Sequence, residues 1–64
     1  MSKGEQIIGG NPSGSLAVDQ IKRSSIQLID IIDESIPDSR RKAEAISKIE
    51  IAQMLAVREL FQPG

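Results

Sequence analysis

Pro37 constrains this chain more than any other residue. It sits in the run Ser35-Ile36-Pro37-Asp38-Ser39, between two segments with apolar residues at helical spacing. Proline has no N–H to donate, and its ring disfavours helix at the residue before it. A helix that reaches Pro37 therefore stops. Asp38 or Ser39 then offers a side-chain oxygen to cap the next helix. So short a connection forces the two helices to lie antiparallel.

The upstream segment reads as a helix from about Leu16 to Ser35, capped by Ser13 or Ser15. Val18, Ile21, Leu28, Ile29, Ile32 and Ile36 recur at three-, four- and seven-residue spacings. Ile26 and Ile31 fall off that stripe, so the apolar surface is wider than one partner helix covers. A strand through Leu28–Ile32 is rejected because the segment is long and carries Asp30, Asp33 and Glu34. The downstream segment reads as a helix from about Arg40 to Leu60. Ala45, Ile46, Ile49, Ala52, Gln53, Ala56 and Leu60 mark one face, and Ile51, Met54 and Leu55 a second. Residues 1–13 are polar and glycine-rich, ending in Gly9-Gly10-Asn11-Pro12, and read as a flexible arm with a turn. Ile7 and Ile8 interrupt the arm. They are candidate anchors, docking on a neighbouring subunit or closing over a ligand about a Gly9-Gly10 hinge. The expected fold is all-α: an antiparallel two-helix hairpin over residues 14–64 behind a flexible N-terminal arm.

Size makes self-association the next expectation. The chain has 64 residues, no Cys and no His, so it has neither a disulfide nor a zinc site to staple a small core. Below roughly 70–80 residues a single core rarely supplies more than about 3–5 kcal/mol. A two-helix hairpin cannot cover two apolar faces on each helix, so a homo-oligomer is expected. The charges at Asp30, Asp33 and Glu34 leave no stretch long and apolar enough to span a membrane.

Catalysis is not expected, because His, Cys and Tyr are all missing and no serine has a base beside it in sequence. No glycine-rich loop has the spacing of a nucleotide cofactor site, so no cofactor is expected. Asp30, Asp33 and Glu34 read as a solvated helix face rather than a metal or acid–base site. A net charge of −1 counts against duplex nucleic acid.

One feature does point to a ligand. Ser39 is followed by Arg40, Arg41 and Lys42 at the start of the second helix. The positive end of the helix dipole disfavours cations there and favours anions. Arginine forks match phosphate oxygens, and lysine adds a point charge. Ser47 and Lys48 lie two turns on and border the same region. Lys22, with Arg23, forms a smaller basic site on the first helix. Two other readings stand beside this one. One is a structural oligomerisation hairpin whose basic start is solvated and paired with Asp38 and Glu44. The other is a small DNA-binding regulatory hairpin, against which the acidic balance and the lack of a third helix count.

The second helix also carries a motif. Ser39-Arg40 opens it, Ile46-Ser47-Lys48-Ile49-Glu50 follows, and Ala52 and Met54 come next. This segment resembles the helical-hairpin domain of the phage cyclic-nucleotide sponges that counter CBASS and Thoeris immunity. The resemblance implies a compact oligomer, often a hexamer, acting in the cytoplasm of the infected bacterial host. It implies sequestration of cyclic oligonucleotide signals without cleavage, with Arg40 among the contacts to cyclic trinucleotides. Leu55 stands where the family usually has Trp, Val57 where it has Asn, and Arg41 where an acid is common. The family's dinucleotide pocket uses a Tyr from the N-terminal segment, and this chain has none. The resemblance therefore favours trinucleotides over dinucleotides, with aliphatic contacts from Ile7 or Ile8 in place of a stacking ring.

Overall fold

A computed structural model describes residues 2–9 and 14–62. These form three helices, α1 (Lys3–Ile8), α2 (Leu16–Ser35) and α3 (Arg40–Phe61). None of them is long and apolar enough to cross a membrane.

Side-chain caps and Pro37 set the limits of the two long helices as the sequence indicates. Ser15 Oγ accepts from the Val18 N–H at 3.4 Å. The alternative cap, Ser13, lies outside the described residues. The last turn of α2 closes with the Ile36 N–H donating to Ile32 O at 3.1 Å, one residue before the proline. Ser39 Oγ accepts from the Lys42 N–H at 3.1 Å and opens α3. The two helices are antiparallel. Asp33 meets Lys42 near the turn, and Ala17 and Ile21 share a groove with Ala56 and Leu60 at the far end.

The apolar core is small. Val18 is 1% exposed, Ile29 0% and Ile46 7%. Leu28, Ile31, Ile36, Ile51, Met54, Leu55 and Leu60 are all exposed. The element count supplies the reason. Each long helix has one long partner, and α1 adds only six residues, packed on α2. A domain buries its apolar stripes by packing elements against one another, and here the second apolar face of each long helix is left to water.

The flexible-arm expectation is corrected over Lys3–Ile8, which are helical. Ser2 and Glu5 form a reciprocal capping box. Ser2 Oγ accepts from the Glu5 N–H at 3.2 Å, and Glu5 Oε1 accepts from the Ser2 N–H at 3.2 Å. The signature Ser-x-x-Glu ahead of Ile7 and Ile8 is legible in the sequence. Gly9 ends the helix at φ 85°, a region that favours glycine. Six residues cannot hold a helix alone, so α2 must hold this one. The Gly4 N–H, one of the helix's unpaired first-turn donors, donates to Asp30 Oδ1 at 2.7 Å. Asp30 is therefore a docking residue rather than part of a solvated face. The hinge expected at Gly10 lies outside the described residues.

Gly4 also permits the close approach. A Cβ there would stand 2.7 Å from Ile26 Cα and 2.9 Å from its carbonyl carbon, and backbone cannot swing aside. Gly4→Ala is expected to destabilise α1 docking by about 1–3 kcal/mol, the usual range for forced overpacking. Amide exchange across Lys3–Ile8 should accelerate while α2 and α3 keep their protection. Unaltered protection of α1 would contradict the tight contact.

Candidate functional site

The basic start of α3 divides in two because successive helical residues are turned by about 100°. Lys42 faces inward and is 7% exposed. Its Nζ meets Asp38 Oδ1 at 2.9 Å, the Asp33 backbone oxygen at 3.0 Å and Asp33 Oδ1 at 3.2 Å. An ammonium has three protons, and three oxygens surround it here. In the free chain Lys42, expected as a phosphate contact, is engaged by these oxygens. It is a strut tying the end of α2 to the cap of α3.

The Lys42 ammonium donates to Asp38 and lies beside it, which holds that carboxyl below its usual 3.8. The bond to Asp38 in turn holds Lys42 above its usual 10.5, against the opposing effect of desolvation. The unfolded chain binds more protons at Asp38, so this contribution is present above pH 3.8 and is lost as pH falls through the depressed folded value. The Lys42 share is complete below 10.5 and is lost as pH rises through the raised folded value. Asp38 is open to solvent, so screening keeps the effect small. The urea midpoint of Asp38→Asn should sit slightly below that of the wild type at neutral pH. The gap should close as both are acidified below about pH 4. A gap that persists in strong acid would place the loss elsewhere.

Arg40 and Arg41 point outward. The Arg40 side chain is 93% exposed, with Nε 3.6 Å from Glu44 Oε1. Exposed pairs of this kind contribute about 0–1 kcal/mol. The first turn of α3 holds no acidic residue. Ser39 Oγ takes the Lys42 N–H, and the first intrahelical bond is from Ala43 N–H to Ser39 O. Among the described residues the N–H groups of Arg40 and Arg41 are thus left without an acceptor, beside two solvated guanidinium groups.

Next to this corner, a cleft of about 430 Å³ separates α1 from α3 over a floor that includes Asp33. It gathers four of the expected residues: Ile7 from α1, then Ser39, Lys42 and Ser47. Arg40 and Arg41 stand outside its lining, at the end marked by Ser39. Ile8 and Lys48 do not line it. Lys22 is on the first half of α2, away from the turn, and is not brought to this site. Lys3, Ala43, Ile46 and Glu50 complete the walls with Asp33 and Asp38. Sequence reasoning did not assign those six. The α3 members were legible as one face, since Ser39, Ala43, Ile46, Ser47 and Glu50 recur at helical spacing. Lys3 was not legible without α1. Among the described residues no group of three or more carboxylates is placed to hold a metal ion.

The arrangement suits binding. Its outer corner is cationic with free N–H donors. Its inner cleft has aliphatic walls, with Lys42 engaged by Asp33 and Asp38 and with Lys3 and Glu50 also on its lining. Comparison with known protein families matches residues 5–61 to the family described as Acb2/Tad1, hairpin domain. The match starts within α1 and runs to the last residue of α3. No curated protein and no solved structure matches the chain. The chain belongs to the Acb2/Tad1 hairpin family, the anti-CBASS and anti-Thoeris sponges.

Proposed function

We propose that this protein binds and sequesters cyclic oligonucleotide immune signals, without cleaving them, as a homo-oligomer in the cytoplasm of the infected host. Membership of a sponge family supports the reading. The observation that carries it in this chain is the pair Arg40 and Arg41, solvated at a helix start where their own two N–H groups have no acceptor among the described residues. Cations at that end of a helix oppose its dipole. An incoming phosphate relieves the conflict and accepts from both side chain and backbone. Ser39, Ser47 and Lys48 serve as secondary polar contacts, and Ile7 and Ile8 as aliphatic ones. Lys42 acts by fixing the turn that presents the arginines. Trinucleotides are favoured over dinucleotides because the chain has no Tyr to stack a base.

The exposed apolar side chains support self-association. Leu28 and Ile31 on α2, and Ile51, Met54 and Leu55 on α3, are apolar side chains that one hairpin leaves in water. A hexamer is the expected assembly. Arginines converging from several subunits would repel one another until an anion joins them. Native mass spectrometry of protein purified from cells producing the signals reads subunit number and retained ligand together. A multimer carrying intact cyclic oligonucleotide is the expected result. A folded monomer would remove the assembly. A multimer that binds no cyclic di- or trinucleotide would make the structural hairpin the better reading.

A further inference from the structure

We propose that the cleft between α1 and α3 is a nucleobase subsite that selects guanine, with Glu50 as the specificity-determining residue. This deepens the sponge reading and rests on it. The cleft is poorly suited to a phosphate. Lys42 already faces three oxygens, and the carboxylates of Asp33, Asp38 and Glu50 outnumber Lys3, the other cation lining the same space. It is well suited to a base. Ile7, Ala43 and Ile46 give it aliphatic surface, against which a flat ring buries its faces. Its volume, about 430 Å³, lies within the roughly 300–1,000 Å³ of small-molecule sites.

Glu50 differs from the other two carboxylates of the cleft. Asp33 and Asp38 are engaged by Lys42. Glu50 is half-buried and makes no hydrogen bond or ion pair with the described residues. A carboxylate accepts two parallel bonds. The Watson–Crick edge of guanine presents two parallel donors, N1–H and the N2 amino group. Adenine presents one donor beside a lone pair on N1, which would face a carboxylate oxygen with no proton between them. The discrimination therefore comes from a match for guanine and a mismatch for adenine together. Ten residues of α3 separate Glu50 from Arg40, about 15 Å along the axis. That exceeds the reach of one nucleotide from base edge to its own phosphate. A ring of linked nucleotides spans it, with one base in the cleft and another nucleotide's phosphate at the α3 start.

Calorimetric titration of the full chain tests this with a cyclic triadenylate, a ring of two adenylates and one guanylate, and the same ring with inosinate for guanylate. The wild type should bind the guanylate ring roughly tenfold or more tightly than the triadenylate, the scale of one bidentate base contact. The inosinate ring keeps N1–H and lacks the amino group, so it should fall between them. Glu50→Gln should erase or reverse the guanylate preference, because its amide offers adenine one acceptor and one donor in place of the mismatch and so raises triadenylate affinity, while helical circular dichroism stays unaltered. Equal wild-type affinity for all rings, or a preference that survives Glu50→Gln, would overturn the subsite and leave the sponge reading intact. Failure of every ring to bind would overturn the sponge reading and the subsite with it.

Discussion

Arg40→Ala is expected to weaken cyclic trinucleotide binding by about 2–5 kcal/mol, the range for truncating one partner of a desolvated charge pair. The loss should fall on affinity alone. In the free protein the Arg40 side chain is 93% exposed, and its ion-pair partner Glu44 is 3.6 Å away. An exposed pair of that length contributes little to folding. Removing a cation from the positive end of α3 should leave stability unaltered or slightly raised. Arg40→Lys should recover only part of the affinity, because an ammonium cannot make the guanidinium's two parallel bonds. Titration calorimetry reads the binding, and urea denaturation reads the fold. A substituted protein that binds the trinucleotide as tightly as the wild type would show that phosphate does not meet this corner.

Ile29→Ala should have the largest effect on folding. Ile29 is 0% exposed, and among the large side chains of the described residues only Val18 is comparably enclosed. Truncating a buried isoleucine to alanine costs about 2–5 kcal/mol, the spread reflecting how far the cavity collapses. A domain of this size has about that much in total. The isolated hairpin should lose most of its cooperative urea transition. Ile31→Ala is the matched control. Ile31 is 60% exposed on the same helix, so the same truncation should cost the hairpin little. In an assembly that covers Ile31, its cost should grow with protein concentration, because subunit association then contributes to stability. An unmoved midpoint for Ile29→Ala would mean that α2 does not pack through this face.

Much of the architecture follows from local chemistry that can be read along the chain. Pro37 ends one helix and Ser39 starts the next, because a missing N–H and a well-placed hydroxyl act within a few residues of themselves. The N-terminal helix was equally written there, in Ser2-Lys3-Gly4-Glu5 and in Gly9. Glycine richness hid it, since Gly4 reads as a breaker until Ile26 is seen pressed against it. Its six residues gain their stability from α2, and no local signal reports that. The apolar pattern likewise reported more burial than occurs. Periodicity marks which side chains could be covered, and only the packing of the helices shows that few are.

The basic cluster marks the boundary most clearly. Composition and the helix dipole are enough to single out Arg40, Arg41 and Lys42 as an unusual helix start. Lys42 also shares a face with Ile46, Ile49 and Gln53, so its inward turn could have been anticipated from spacing. What lies opposite could not. Asp33 reaches Lys42 from the other helix, nine residues back across the turn, and that meeting depends on how the hairpin closes. The cleft is a tertiary object for the same reason. Lys3 and Ile7 come to line one cleft with Glu50 only because Asp30 and Ile26 seat α1 on α2. Helix limits, caps and the excess of cations were determined by the sequence itself, since each depends on neighbours a turn or two away. Which cation stays free, which carboxylate is left unpaired and where a cavity opens were decided by tertiary structure, because charge pairing and enclosed volume depend on segments far apart in the chain.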